Sequence, residues 1–486
     1  MKHIDKKTLV SVIVVTILLT MLVPFLNGKQ KMNRHEDEIK HVTGTVIESN
    51  EHETIVADKD DELHKFDKDE VNEKPGTEVS IDYKKDDNVN STSTPPSKPN
   101  TSTPNKPDTG TSNTTTKPNP TTPAPPNENT VIDYTVIEDS KIPDAWLDGG
   151  IFSAHYVAAY KKLMTMSLDE KIGQVLIVRY PNSGAEALLK QYHFGGYVFY
   201  EKDFKGKSKN QVISMINSSQ AASTIPLLTA IDEEGGAVSR LNSNSALTSA
   251  PFKSPQVLYA EGGFDAIVAD TKNKSSILKS LGLNLNFAPV VDVSTDPSTY
   301  IYKRTIGQGT QITSDYASTV IGVSKGTGVS YTLKHFPGYG SNLDTHVGGS
   351  TSKKSYADIL NEDIPPFKTG IAAGAEAVMV SHNVVESIDA GNESSISPKV
   401  HSLLRTDLGF TGIIVTDDIS MGAMKNVSNI GGKAISSGND LIITSDAPTT
   451  FNQIKSSIAN GSVNEDALNH AVFRLLAWKY YKGLLS

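Results

Sequence analysis

The sequence predicts an α/β fold for residues 131–486 and, within that class, a (β/α)8 barrel of the TIM type. Two observations lead to this prediction. Eight short, almost continuously apolar runs recur along this part of the chain, and most intervals between them hold an amphipathic segment. Apolar strands that alternate with helices are typical of a parallel sheet covered by helices. Eight such units favour a closed barrel over the alternative, an open doubly wound sheet.

The predicted strands lie in eight runs, which are, in chain order, QVLIVRY, GGYVFY, IPLLTAID, LNLNFAPVVDV, VSYTLKHF, AEAVMVSHN, GIIVTDD and DLIITS. Segments such as AEALLKQYHF and SDYASTVIGVSKGTG, between these runs, have the apolar spacing of amphipathic helices. The order strand, helix, strand therefore repeats along the whole predicted domain.

Polar side chains directly follow the apolar part of five runs. They are Asp232, Asp292, the pair Lys334 and His335, His382, and the pair Asp417 and Asp418. The carboxyl ends of barrel strands form one rim, where the catalytic residues of barrel enzymes gather. A helix cap or a satisfied polar group would explain any one of these residues, but convergence from several strands indicates an active site.

The composition limits the chemistry of the chain. Its 486 residues include 46 Lys and Arg against 55 Asp and Glu, so the formal net charge is −9. Proteins that bind nucleic acid usually carry a basic surface, and we therefore expect no nucleic-acid partner. The absence of cysteine excludes disulfides, zinc–thiolate sites and a cysteine nucleophile.

Residues 1–30 are predicted to form a membrane anchor. An apolar run from Leu9 to Leu26 follows three lysines. At about 1.5 Å per residue, a helix of this length nearly spans a hydrocarbon core of roughly 30 Å. The lysines predict that the N-terminus lies on the inner side of the membrane and everything after residue 27 on the outer side, at a bacterial cell surface. A cleaved signal peptide, which would give a secreted protein, is less favoured because no small-x-small cleavage motif follows the run.

Two further segments precede the predicted barrel. Residues 31–87 alternate apolar and polar side chains, as in HVTGTVIES and TEVSIDY, which predicts a small acidic β-rich module. Residues 88–130 are mostly Ser, Thr, Pro, Asn and Lys and cannot bury a core, which predicts a disordered linker. An anchor, a linker and a globular domain form the layout of a surface-displayed protein.

An ordered series of motifs resembles the signatures of glycoside hydrolase family 3, and within it the bacterial β-N-acetylglucosaminidases. The series spans the predicted barrel and consists of MSLDEKIGQVLIV (166–178), IDEEGGAVSR (231–240), NFAPVVDV (286–293), KRTIG (303–307), KHFPGYGSNLDTH (334–346) and VTDDISMGAM (415–424). The resemblance implies hydrolysis of a β-glycoside with retention of configuration, by a carboxylate nucleophile and an acid/base on opposite sides of the bond. It implies no metal or organic cofactor, and we expect a carbohydrate substrate and a monomer.

The resemblance assigns the catalytic roles. It places the nucleophile at Asp417, the first residue of the Asp-Asp pair, with Asp418 as a positioning or capping neighbour. It places the acid/base at His346, on a mobile loop, oriented by Asp344. An unperturbed imidazole pKa of about 6.5 suits a group that gives and takes a proton near neutral pH. Taken alone, an Asp-x-His triplet could also be a loop hydrogen bond or a metal site.

The same resemblance implies a set of residues that bind the sugar next to the scissile bond, namely Asp232, Arg240, Arg304, Lys334 and His335. A carboxylate can accept hydrogen bonds from two sugar hydroxyls, and the cationic and imidazole groups can fix the orientation of the ring. Arg240 and Arg304 could instead form surface salt bridges. The chain departs from the family's frequent KHFPGHG by carrying Tyr339, which could alter loop packing.

Three alternatives to a β-N-acetylglucosaminidase remain open from the sequence. A β-glucosidase or a phosphorylase could use the same frame, since a histidine acid/base is compatible with an incoming phosphate. A non-catalytic wall-binding protein is the third, although loss of Asp417 or His346 would be its signature and both are present. Fragments of cell-wall peptidoglycan are the expected natural substrates.

Overall fold

The computed structural model describes residues 39–49, 53–58, 63–67, 78–84, 89–92, 142–340, 344–346 and 348–486. The chain divides into two compact units, residues 1–128 and residues 129–486. The predicted membrane anchor lies outside the described residues, as does the predicted linker apart from residues 89–92. Within the described ranges, no helix combines the length and the hydropathy needed to cross a bilayer.

The first unit contains a five-stranded antiparallel sheet in the order β3-β2-β1-β4-β5. Its strands are β1 (Ile39–Ser49), β2 (Glu53–Asp58), β3 (Leu63–Asp67), β4 (Glu78–Lys84) and β5 (Val89–Thr92). The last strand falls within the segment predicted as linker. It lies at the edge of the sheet, where pairing with β4 needs only backbone groups and does not require apolar side chains.

The second unit is built on eight parallel strands, and each predicted run contains one of them. They are β6 (Leu176–Arg179), β7 (Gly196–Phe199), β8 (Leu228–Ile231), β9 (Leu285–Asn286), β10 (Ser330–Phe336), β12 (Ala377–Val380), β14 (Ile413–Thr416) and β15 (Ile442–Thr444). Two short strands, β11 (Thr351–Ser352) and β13 (Val384–Val385), pair with each other in parallel and form a separate two-stranded sheet.

The eight strands form a nearly closed barrel in the order β14-β12-β10-β9-β8-β7-β6-β15. The two end strands meet at a short contact, where Thr416 N donates to Leu441 O at 3.0 Å and Leu441 N donates to Ile414 O at 3.1 Å. The sheet therefore curls back on itself, as the barrel prediction requires and an open doubly wound sheet would not.

The helices of this unit, in chain order, begin with two that precede β6 and continue between and after the later strands. They are α1 (Tyr156–Met164), α2 (Leu168–Gln174), α3 (Ala185–Tyr192), α4 (Glu201–Phe204), α5 (Lys209–Ala222), α6 (Pro255–Leu281), α7 (Thr310–Ser324), α8 (Tyr356–Asp358), α9 (Ile364–Ala372), α10 (Glu386–Asp389), α11 (Pro398–Ser402), α12 (Ile430–Ser437), α13 (Ala447–Ala459) and α14 (Glu465–Tyr481). Local sequence explains several starts. Ser167 and Glu170 form a capping box at α2, and Ser254 caps α6 ahead of a proline.

The end of the barrel opposite the carboxyl ends of the strands is closed by α14. Trp478 is fully buried, and its indole N–H donates to Glu376 at 2.7 Å. Lys479 is also buried and donates to the side chain of Gln174 and to the carbonyl of Gly195. These partners immediately precede barrel strands, so α14 seals one end and leaves the carboxyl ends of the strands for the site.

Strand β9 is much shorter than its apolar run. Pro289 follows it closely and has no N–H to donate to the ladder. Pairing resumes at a single bridge between Val290 and Lys334. The chain then reaches Asp292 at the same level as the end of β10, which brings this carboxylate beside His335.

Candidate active site

A buried ionic cluster lies at the carboxyl ends of β8 and β10. Lys334 Nζ lies 2.8 Å from Asp232 Oδ1 and 2.7 Å from Glu234 Oε1, and its side chain is only 2% exposed. Asp232 and Glu234 are two residues apart just beyond β8, so both can face Lys334. An ammonium group this deeply buried requires such partners, because an unpaired buried charge is strongly unfavourable.

Arg304 completes the cluster from the loop that follows β9. Its guanidinium binds Glu234 through two hydrogen bonds, of 3.0 and 2.8 Å. Burial would raise the pKa of Glu234, but Arg304 and Lys334 outweigh burial and lower it to about 2. Burial would likewise raise the pKa of Asp232, but Lys334 and Arg240 hold it well below its usual range. Both carboxylates are therefore ionised at any physiological pH.

Arg240 lies at the edge of this cluster. Its guanidinium contacts Asp232 Oδ2 at 3.2 Å and stacks over the ring of Tyr200, with 5.0 Å between the guanidinium carbon and the ring centroid. Arg179, at the end of β6, lies 4.3 Å from the same ring. Arg240 and Arg304 thus belong to the cluster at the barrel mouth and do not form isolated surface salt bridges.

His335 is held by Asp292. The carboxylate Oδ2 lies 2.7 Å from His335 Nδ1, and both side chains are almost completely buried. Arg304 NH2 lies 3.2 Å from His335 Nε2. The imidazole is therefore contacted at both ring nitrogens, by the Asp292 carboxylate at Nδ1 and by the Arg304 guanidinium at Nε2. This arrangement fixes the orientation of the imidazole.

Asp417 lies directly after β14 and is partly exposed at the barrel mouth. Burial would raise its pKa, but the neighbouring His335, His382 and Lys334 side chains outweigh burial and hold the pKa below its ordinary value. One carboxylate oxygen also accepts the N–H of Asp418 at 2.8 Å. The result is an ionised and accessible carboxylate, as a nucleophile requires.

Asp418 and His382 support this region structurally. Asp418 accepts from Ser420 N at 2.9 Å and from the hydroxyl of Ser445 at 2.9 Å, which shapes the loop after β14. His382 is fully buried and uses both ring nitrogens, with Ser395 Oγ at 2.7 Å and the carbonyl of Asp418 at 2.9 Å. These contacts leave His382 no free nitrogen for substrate.

The triplet Asp344, Thr345 and His346 lies on the loop that follows β10. Asp344 Oδ1 lies 2.7 Å from His346 Nδ1 and accepts the backbone N–H of His346 at 2.9 Å. The His346 side chain is 55% exposed, so it is open to a ligand. Burial would raise the pKa of Asp344, but its hydrogen bonds from His346 and from Tyr300 lower it.

This triplet is attached to the loop that follows Asp417. Gly422 N donates to the carbonyl of His346 at 3.2 Å, and Ala423 N donates to the carbonyl of Thr345 at 3.0 Å. The loop after β10 therefore reaches the loop after β14. This contact brings the chain segments that carry His346 and Asp417 together at one mouth of the barrel.

A cleft of about 670 Å³ adjoins the site and is lined by polar loop residues. The lining residues are Val293–Asp296, Thr299, Gly340 and Gly349–Lys354. The cleft begins one residue beyond Asp292 and lies beside the loop that carries Asp344 and His346, while the ionic cluster itself does not line it. Among the residues that the structure describes, no group of three or more His, Asp or Glu side chains is arranged to hold a metal ion.

A comparison with known proteins decides the family. The sequence profile of the Glycosyl hydrolase family 3 N terminal domain matches residues 167–478. The chain belongs to glycoside hydrolase family 3. It is a glycoside hydrolase, and the family resemblance found in the sequence is confirmed.

This family 3 chain is similar to a curated relative in sequence and to solved structures in fold. A β-hexosaminidase of Xanthomonas campestris pv. campestris (strain B100) is 32% identical over 300 residues, which are 60% of this chain and 88% of that protein. The structure of a family 3 β-N-acetylglucosaminidase from Paenibacillus sp. str. FPU-7 is similar with a TM-score of 0.62 and 25% identity, over 66% of this chain and 63% of that chain. A β-N-acetylhexosaminidase from Beutenbergia cavernae DSM 12333 matches with a TM-score of 0.59 and 25% identity, over 65% and 99% of the two chains.

The family 3 barrel brings the predicted site residues together in two groups. Asp232, Arg240, Arg304, Lys334 and His335 form one connected network of charges and hydrogen bonds. Asp344 and His346 form a pair on the loop that is attached next to the Asp417 segment. Three further residues contact these groups although the sequence assigned them no catalytic or sugar-binding role, and they are Glu234, Asp292 and Tyr300.

Sequence signals existed for two of these three. Glu234 lies two residues beyond Asp232, and side chains two residues apart on an extended chain point to the same side. Glu233, between them, points elsewhere and accepts backbone N–H groups from Arg240 and Leu241. Asp292 stands out at the end of an apolar run. Tyr300 comes from a loop and lies 3.3 Å from His346 Nδ1, a contact that only the tertiary fold creates.

Proposed function

We propose that this family 3 enzyme is a retaining exo-β-N-acetylglucosaminidase that removes terminal β-linked N-acetylglucosamine, with cell-wall peptidoglycan fragments as the natural source. The observation that carries the proposal is the pairing of two groups at one barrel mouth. One is an accessible carboxylate, Asp417, whose pKa is held low by cationic and imidazole neighbours. The other is an exposed imidazole, His346, oriented by Asp344.

The first half of the reaction forms a covalent intermediate. The Asp417 carboxylate attacks the anomeric carbon, and the bond between that carbon and the glycosidic oxygen breaks. His346, in its protonated form, gives its proton to the departing oxygen, so that the aglycone leaves as a neutral alcohol. Asp344 stabilises the imidazolium before the transfer, since its oxygen lies 2.7 Å from Nδ1.

The second half releases the sugar. Neutral His346 takes a proton from a water molecule, the water oxygen bonds to the anomeric carbon, and the bond to Asp417 breaks. Two inversions at the same carbon give net retention of the β configuration. The enzyme returns to its starting state with Asp417 ionised and His346 protonated.

The ionic cluster at β8 and β10 is proposed to hold the sugar. Asp232 and Glu234 are ionised acceptors for sugar hydroxyls, and Lys334, Arg304 and Arg240 are donors fixed by these carboxylates. Since every donor is already oriented in the free protein, little reorganisation is needed on binding. Hydroxyl contacts that strengthen in the transition state then contribute to rate as well as affinity.

The relatives favour N-acetylglucosamine as the sugar. The Xanthomonas protein is named a β-hexosaminidase and the Paenibacillus structure is a β-N-acetylglucosaminidase. The acid/base triplet on the loop after β10 gives the same indication, because the resemblance ties this triplet to that branch of the family. We further propose that the barrel is a monomer. We also propose that it is displayed outside the cell on the anchor predicted from residues 1–30, and protease treatment of intact cells would test this display.

The deciding experiment supplies two chromogenic substrates, each with and without phosphate. We expect release of 4-nitrophenol from the β-N-acetylglucosaminide, at a rate that phosphate does not change, and far slower release from the β-glucoside. Proton NMR of the first-formed sugar should show the β anomer. Release from the glucoside alone would refute the proposal. A sugar 1-phosphate product would instead identify a phosphorylase.

A further inference from the structure

Tyr339 stands where the family's frequent KHFPGHG motif has a histidine. We propose that Tyr339 is a positioning residue that fixes the Asp344–Thr345–His346 triplet to the barrel, and thereby places the acid/base. The inference rests on the proposed role of His346. Nothing in the reaction itself requires a tyrosine at this position.

The Tyr339 hydroxyl is bound to the middle residue of the triplet. It accepts the backbone N–H of Thr345 at 2.8 Å and lies 2.9 Å from Thr345 Oγ1. Because the hydroxyl oxygen accepts from the backbone, its own proton is free to be donated to Oγ1. Thr345 is 1% exposed, so both hydrogen bonds are shielded from water. The two neighbours of Thr345 are the catalytic pair.

The other end of Tyr339 is fixed to the barrel. Its backbone N–H donates to Asp292 Oδ1 at 2.7 Å, and the second oxygen of Asp292 binds His335. The ring is 2% exposed, packs in a small apolar cluster with Val290 and Ile301, and lies 5.6 Å from the His335 ring. Tyr339 therefore links the end of β10 to the acid/base triplet.

Other contacts also hold the triplet. A pair of hydrogen bonds comes from Gly422 and Ala423, which lie on the loop that carries Asp417, and the hydroxyl of Tyr300 lies 3.3 Å from His346 Nδ1. An imidazole at position 339, as in the family's frequent KHFPGHG, is shorter than a phenol and cannot place a polar atom where the hydroxyl is. The hydrogen bonds to Thr345 thus require the tyrosine. They reduce the number of conformations that the loop carrying His346 adopts before substrate binds.

The test uses the leaving group as a readout of proton donation. We compare kcat/KM on the 4-nitrophenyl and phenyl β-N-acetylglucosaminides, because only the poor phenolate leaving group depends strongly on an acid. Tyr339→Phe should lower kcat/KM by about tenfold or more on the phenyl substrate and by less than about threefold on the 4-nitrophenyl substrate. His346→Ala should show the same selectivity with a larger loss.

Tyr197→Phe is the matched control, since Tyr197 is also buried and its hydroxyl donates to a backbone carbonyl, that of Ala185, at 2.8 Å. It should show no leaving-group selectivity. If Tyr339→Phe is poorly folded, Thr345→Val replaces it, because valine keeps the shape of threonine and removes the Oγ1 contact.

If His346→Ala is selective but Tyr339→Phe loses activity equally on both substrates, or loses none, the inference is overturned. Absence of selectivity in His346→Ala itself would instead refute the proposed function.

Discussion

Asp344 holds His346 through a single carboxylate oxygen, which lies 2.7 Å from the imidazole Nδ1 and accepts the backbone N–H of His346 at 2.9 Å. The two contacts fix both the ring and the main chain of His346, the residue proposed as the acid/base. They leave Nε2 as the nitrogen that can meet the glycosidic oxygen. The low pKa of Asp344 keeps this partner ionised over the working range of the enzyme.

Replacing Asp344 should therefore impair proton donation more than binding. Asp344→Asn should lower kcat on the phenyl glycoside by about a hundredfold and leave KM within about threefold, because an amide neither stabilises the imidazolium nor fixes the tautomer. Steady-state kinetics on the two leaving groups measure this. Asp407 is an exposed carboxylate before β14, and the control variant Asp407→Asn should behave as the wild type. A purely KM-based effect at Asp344 would contradict the assigned role.

Removing the ammonium of Lys334 should destabilise the barrel and abolish turnover. Lys334→Met leaves Asp232 and Glu234 ionised and close together in a buried site, which we expect to lower the free energy of unfolding by about 3 kcal/mol. Urea denaturation followed by circular dichroism measures the change. Adding Glu234→Gln should restore part of the stability but none of the activity. Unchanged stability in the single variant would show that the cluster is not a coupled unit.

The acid limb of the pH profile should depend on His335. Burial would raise the pKa of Asp417, but neighbouring groups lower it below its ordinary value, and His335 makes the largest contribution to this lowering. The proposed nucleophile acts in its ionised form, so activity governed by Asp417 should persist as pH falls and be lost only below the ordinary carboxyl range. In His335→Gln the Asp417 pKa should rise, and the acid limb of kcat/KM should move to higher pH. Coincident acid limbs, after a control for stability at each pH, would contradict this coupling.

Stability should rise with pH above neutrality because of Lys479. Burial lowers the pKa of this ammonium from 10.5 to about 7. Between these two values the unfolded chain binds the proton and the folded chain does not, so the free energy of unfolding increases with pH. Lys479→Met should reduce that slope between pH 7 and pH 9, whereas Lys455→Met, at an exposed salt bridge, should not. Equal slopes in the wild type and Lys479→Met would show that the folded protein keeps this lysine protonated.

The barrel could be predicted because each of its strands lies in an apolar run, and five of these runs give way directly to polar residues. The run around β14, for example, is buried from Ile413 to Thr416 and gives way at once to Asp417. The extent of pairing was harder to predict. The apolar run at β9 continues past Pro289, but only two of its residues form the strand, since pairing depends on backbone donors and not on hydrophobicity.

The site could be predicted at the strand ends and less well between them. Lys334 and His335 follow their strand directly, so their place on the rim follows from the chain direction. The partners of these residues come from other loops, and neither Tyr300 beside His346 nor Tyr339 beside Thr345 follows from spacing or periodicity. Such contacts depend on how loops fold over the rim, which local sequence does not determine.

The most direct test of the central claim is to identify the residue that becomes glycosylated. A 5-fluoro N-acetylglucosaminyl fluoride should trap the intermediate, and trypsin should release the labelled segment as residues 406–425, which contain Asp417. Fragmentation in the mass spectrometer is expected to place the added sugar on Asp417, with slower loss of the label in His346→Ala. A label on Asp418 or any other residue, or turnover of the reagent without a label, would contradict the account.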